Sequence, residues 1–252
     1  LSDWSSDVCS SDLLIGLLMV RKILKLRGIS GEMLKTAWRG NFRHLLALNR
    51  DIMLRSLLLQ LCFGAITVLG ARLGSDIIAV NAVLMTLLTF TAYALDGFAY
   101  AVEAHSGQAY GARDGSQLLD VWRAACRQSG IVALLFSVVY LLAGEHIIAL
   151  LTSLTQIQQL ADRYLIWQVI LPLVGVWCYL LDGMFIGATR AAEMRNSMAV
   201  AAAGFALTLL TLPWLGNHGL WLALTVFLAL RGLSLAAIWR RHWRNDTWFV
   251  AT

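Results

Sequence analysis

The chain has 252 residues, of which 59% are hydrophobic and 14% charged, with two prolines and a formal net charge of +5. So apolar a composition excludes an ordinary soluble domain and makes a membrane the first class to test. The basic residues gather in particular stretches, so the positive balance does not imply nucleic acid, and Cys9, Cys62, Cys126 and Cys178 have neither metal nor disulfide spacing.

Residues 1–12, LSDWSSDVCSSD, carry no initiator Met, no basic leader and no helical period. They read as a translated sequencing adapter and not as native protein. Residues 13–20, LLIGLLMV, are apolar but too short to span. They read as the remnant of a truncated span, which makes the chain a C-terminal fragment. Residues 21–50 are a basic connector holding Arg21, Lys22, Lys25, Arg27, Lys35, Arg39, Arg43 and Arg50 against Glu32. Ser30 is a fitting N-cap for a helix on the headgroups. A plain connector fits as well, and both readings place the stretch in the cytoplasm.

Six apolar runs follow. Residues 52–71 carry Arg55 one turn inside, where a long side chain is expected to snorkel to the interface. Residues 77–105 come next, and Gly107, Gly111 and Gly115 are expected to end that helix in a compact loop. A charged lead-in over 120–127 precedes residues 129–143. Residues 164–188 contain Pro172, which removes a backbone donor and is expected to bend the helix. Residues 198–214 are rich in Ala and Gly, and residues 220–239 lead to Arg240, Arg241 and Arg244. Trp214, Trp221, Trp239 and Trp243 lie near run ends, as interfacial anchors would. The loops at 21–50, 113–127, 190–195 and 240–244 are basic. Those at 72–76, 144–159 and 214–218 hold a single Arg. This alternation predicts an all-α membrane protein: a six-span helical bundle over 51–245, a tail at 246–252 and a cytoplasmic C-terminus.

The run from Val80 to Gly115 places Asp96 and Glu103 among apolar residues. A carboxylate at the bilayer centre costs about 2.5–3.5 kcal/mol on insertion scales. At about 100° per residue, Thr89, Tyr93, Asp96, Tyr100, Glu103 and Gly107 share one narrow sector. Such a stripe faces a bundle interior or a watery cavity. It serves either as interhelical hydrogen bonding or as a functional surface, and two acids with two tyrosines favour the latter. Glu103 also fits an ordinary interface residue. Asp182, which follows Tyr179 on one helix face, also fits a hydrogen-bonded packing residue. Asp96 and Asp182 each lie in Leu-Asp-Gly, but the signatures of an intramembrane aspartyl protease are absent. So are a phosphate loop, HExxH, GxSxG and CxxC. No catalytic residue, metal ligand or cofactor is expected, and any pumping would be driven by an ion gradient.

The stretches LDGFAYAVEAHSGQAYGARDG, NRDIMLRSLLLQ and LLDGMFIGATRA resemble the multidrug and toxic compound extrusion (MATE) transporters. The resemblance covers essentially residues 13–252. It implies one lobe of a twelve-span antiporter that exports toxic, mostly cationic organic compounds against protons or sodium across a bacterial inner membrane. The missing N-terminal lobe, membrane lipid and small organic substrates are the partners implied. An acid of the family's tenth span matches Asp182. The seventh-span acid of the sodium-coupled branch has no counterpart in residues 52–71, which leans toward protons. Asp96, Glu103 and the aromatic or hydroxyl groups of Tyr93, Tyr100, Thr89 and Tyr179 are candidates from the residue pattern itself. A lipid-linked substrate flippase of the same superfamily, and more remotely an intramembrane enzyme, are the other readings.

The charge alternation is directly testable. Single cysteines placed at 113–127, 190–195 and 240–244 are expected to react with an impermeant thiol reagent in inverted vesicles and not in intact cells. Labelling of these loops from outside would reverse the topology.

Overall fold

The structure, a computed structural model, describes residues 15–16, 18–22 and 42–249. The expectations for residues 1–12 and for most of 21–50 lie outside the described residues. Residues 15–16 and 18–22 are helical and exposed. Residues 48–249 belong to one compact unit, within which the packing below is described. The elements are α1 (Phe42–Arg72), α2 (Ser75–Ala112), α3 (Gly115–Leu151), α4 (Thr155–Asp162), α5 (Leu165–Gly187), α6 (Ala191–Leu209), α7 (Leu212–Leu215) and α8 (Asn217–Arg244).

Five helices are long and apolar enough to cross a membrane: α1 from Leu46, α2, α3, α5 and α8. The sixth expected span corresponds to α6, which falls short. Its first turns hold Glu193, Arg195 and Asn196, and the chain leaves the helix at Leu209, before the expected end at 214. The fold is thus an all-α bundle with five helices meeting the length and apolarity of a span, among the described residues.

The central helix is α5. In its most apolar window 61% of the residues are buried, against 11% for α1. Leu171, Cys178, Leu180 and Phe185 of α5 are almost fully enclosed. It carries Pro172, whose missing N–H leaves the ladder incomplete. Ser137 of α3 donates to the nearby Val169 carbonyl at 2.7 Å.

Glycine decides how closely α2 and α5 approach. A Cβ on Gly107 would stand 3.3 Å from the Gly187 carbonyl, and one on Gly187 would stand 2.9 Å from the Gly107 nitrogen. A Cβ on Gly183 would run into the Ala99 carbonyl. Gly183 and Gly187 are four apart, the spacing that lets two membrane helices touch backbone to backbone. This corrects the expected role of Gly107. The helix does not end there: α2 continues to Ala112, Arg113 takes the left-handed cap at φ 53, and Asp114 caps α3 through the Ser116 and Gln117 amides. The Ser116 hydroxyl, then the Gln117 N–H, hold the Asp114 carboxyl below the usual carboxylate range.

Polar contacts tie the bundle at both ends. Asn81 and Asn217 exchange amide hydrogen bonds at 2.8 and 2.9 Å, and the Trp221 indole donates to Asn81 at 3.1 Å. Trp221 is therefore buried and not an interfacial anchor. At the other end the tail turns back. Arg190 donates to the carbonyls of Thr247 and Trp248 at 2.9 Å each and lies 4.9 Å from the Trp248 ring. Trp248 is buried edge-on against Phe185.

Gly183→Ala is expected to destabilise the purified protein by roughly 1–3 kcal/mol, because the added methyl meets backbone that does not yield. Gly97→Ala, with open space at its Cβ, is expected to be neutral or slightly stabilising. Thermal melts in detergent compare the two. Equal melting temperatures would show that the α2–α5 contact is loose.

Candidate functional site

The close approach at Gly183 has a consequence one residue away. It sets Asp182 of α5 beside the stretch of α2 that bears Asp96. Between α1, α2, α5 and α8 lies a cavity of about 350 Å³, walled by Arg55, Asp96, Tyr100, Glu103, Tyr179, Asp182 and Arg231. Five of the seven predicted residues meet there. Thr89 and Tyr93 do not. They line a separate shallow groove with Met85 and Phe90; Tyr93 is 73% exposed, and the Thr89 hydroxyl is turned to the Met85 carbonyl of its own helix at 2.8 Å. The two tyrosines of the stripe therefore serve different surfaces.

Asp182 is not a lone carboxylate. One of its oxygens, Oδ2, receives Arg55 Nη2 at 2.8 Å and also Arg231 Nη2. The Asp182 and Arg231 side chains are 8% and 6% exposed, so the pair is largely withdrawn from water. Arg55 therefore does not snorkel. It turns inward because a buried carboxylate offers a charge-assisted hydrogen bond that the interface does not. The guanidinium Nε atoms of Arg55 and Arg231 are buried without a partner, so neither arginine is fully satisfied by the one acid. Asp96 and Glu103 share the wall with them. No hydrogen bond or ion pair holds the Asp96 or the Glu103 carboxylate among the described residues, which leaves both available to a bound group.

Arg231 is the residue sequence reading missed. It stands midway along α8 in LALRGLSL, an ionisable group in an apolar run. The rule that singled out Asp96 applies to it unchanged. Together the two arginines and three carboxyls leave one excess negative charge when all are ionised. The cavity can thus accommodate one positive charge, whether a proton on a carboxyl or a cationic group beside it. No group of three His, Cys, Asp or Glu suited to a metal occurs among the described residues.

This arrangement occurs in a chain with clear relatives. The MatE family profile matches residues 52–214. The chain is 98% identical over 240 residues to DNA damage-inducible protein F of Escherichia coli (strain K12), covering 95% of this chain and 52% of that protein. A solved structure described as the outward-facing conformation of a multidrug resistance MATE family transporter of the MOP superfamily superposes with a TM-score of 0.70 at 16% identity, over 83% of this chain and 47% of that one. The chain thus spans about half the length of the relatives it matches. With the family profile covering most of the chain, this protein belongs to the MATE family, a family of membrane transporters and not of enzymes.

Proposed function

We propose that the complete protein is a secondary antiporter that exports organic, mostly cationic compounds in exchange for protons, and that residues 51–245 make up its C-terminal lobe. The observation that carries this reading is the charge balance of the cavity. Asp182 is occupied by Arg55 and Arg231, which leaves Asp96, assisted by Glu103, to take either a proton or a cation. A site that holds one positive charge at a time couples the two by exclusion, which is the logic of antiport. Tyr100 and Tyr179 border the same space and offer ring faces to an organic cation.

Six spans in this lobe are the reading that the charge alternation favours, with α6 (Ala191–Leu209) and α7 (Leu212–Leu215) together making the short fifth passage. The remaining half of the protein would supply a second lobe, and rocking of one against the other would expose the cavity to each side in turn. The exposed Tyr93 and Phe90 of α2 suit a surface that such a lobe covers. Sodium is the less favoured ion, since the one acid of α1, Asp51, is held by Arg195 at 2.6 Å. The likeness to an Escherichia coli protein supports a bacterial inner membrane as its location, and the basic loops support a cytoplasmic C-terminus.

Asp96→Asn in the full-length protein keeps shape and removes the charge. It is expected to leave the melting temperature near that of the parent and to reduce proton-coupled efflux roughly 5- to 150-fold, the usual span of a coupling free energy. The efflux that remains is expected to be flat over about pH 6 to 8. Parent-like export with the parent's pH dependence would remove Asp96 from the exchange.

A further inference from the structure

The acid cavity has a neighbour. A second space, of about 270 Å³, lies between the start of α1 and the start of α6, against Ile52 and Met194. The two spaces share Arg55, Glu103 and Ile186 as a common wall. This inner vestibule is mostly apolar, and Glu103 is its one acid.

The vestibule is bordered by ion pairs of α1. Among the described residues, α1 makes two ion pairs to other helices, and they sit one turn apart. Arg55 holds Asp182 of α5, and Asp51 holds Arg195 of α6 at 2.6 Å. Ile52 and Met194, which line the vestibule, are the chain neighbours of that second pair. Asp51 is buried, with its side chain 8% exposed, while Arg195 is 29% exposed and reaches the surface. Arg50, 61% exposed, approaches the same Asp51 oxygen at 3.2 Å. Apolar packing holds the second half of α1, where Cys62 and Ile66 join the core with Leu59 and Phe63 against them, but Ile52, Met53 and Leu54 of its first turns are exposed. A helix end fastened mainly by two ion pairs is a door rather than a wall.

The geometry points to the vestibule as a cytoplasmic access route for water and protons within this lobe, with Asp51–Arg195 as its latch and Glu103 as the group that relays the proton. This rests on the proton-antiport reading for its direction but not for its access. When the acid cavity gives up its proton, the Asp96 carboxylic acid becomes a carboxylate and water carries the proton to the Glu103 carboxylate. These groups are seven residues, or about 10 Å, apart along α2, a distance that a chain of about three waters bridges at hydrogen-bond spacing. Glu103 then releases the proton to water entering past the opened latch, and its carboxylate is restored. Arg55 faces both spaces, so breaking the latch also frees the turn of α1 that carries it.

Access is read without transport. Ile186→Cys in the full-length protein puts a thiol in the common wall, and an impermeant methanethiosulfonate is added to one side of oriented vesicles. Modification is quantified by mass spectrometry on that peptide. Labelling is expected from the side that bears Arg195, and Asp51→Asn is expected to speed it at least 5-fold. The exchanged pair Asp51→Arg with Arg195→Asp is expected to return it toward the slow rate, which separates a latch from simple damage to the fold. Labelling that ignores Asp51→Asn overturns the latch. Labelling from the opposite side alone, or none in any variant, overturns the route. Glu103→Gln is expected to keep the labelling rate while slowing proton-coupled efflux at least 5-fold, and unchanged efflux overturns the relay. A parent that exports drug without moving protons would sink the antiport reading and the relay, yet leave the labelling results standing as a test of the route.

Discussion

Two arginines on one buried aspartate are the constraint on which this bundle depends. In a low-dielectric surround none of the three charges is tolerable alone. Arg55 comes from α1, Asp182 from α5 and Arg231 from α8, so meeting one another's charge fixes three helices at one level. The fourth wall, α2, is fixed differently, by backbone contact at Gly107, Gly183 and Gly187. Apolar burial cannot give this specificity in lipid, where tails are as apolar as leucine. Ion pairs and small residues supply it instead. The cavity is what remains between helices set by these two devices.

The same constraint distributes the roles of the acids. Asp182 is committed to structure, and any part it takes in exchange would first have to release an arginine. Neither Asp96 nor Glu103 has such a commitment among the described residues. Glu103 stands where the cavity and the inner vestibule meet. Three carboxyls that look equivalent as letters in an apolar sequence thus divide into one held by two arginines and two that are not.

Much of this was legible from residues alone. The apolar runs and the stripe on α2 followed from hydropathy and helical spacing, and five of the seven candidate residues do share a cavity. The parts that were not legible have physical reasons. Arg55 looked free to snorkel because its partner lies 127 positions away in sequence. Arg231 sits in a run whose other members are apolar enough to hide one charge. Trp221 looked like an anchor by position, but an asparagine pair draws its indole inward. The span expected at 198–214 begins earlier and ends earlier as α6, because Glu193 and Arg195 belong to the helix and not to the loop before it. Glycines in SGQAYGARDG were assigned to a turn, whereas Gly107 serves helix contact, a role that depends on what faces it.

The central claim is that Asp182 is held as a structural counter-ion by the two arginines. The most direct measurement is thermal unfolding of the full-length protein in detergent as Asp182→Asn, Arg231→Met and the double variant. Removing the carboxylate alone leaves two buried guanidiniums unmatched, and the expected loss is about 3–5 kcal/mol. Adding Arg231→Met removes one of the stranded charges, so the double variant is expected to recover a large part of that loss. Asp182→Asn melting like the parent, or a double variant in which the two losses simply add, would contradict the account.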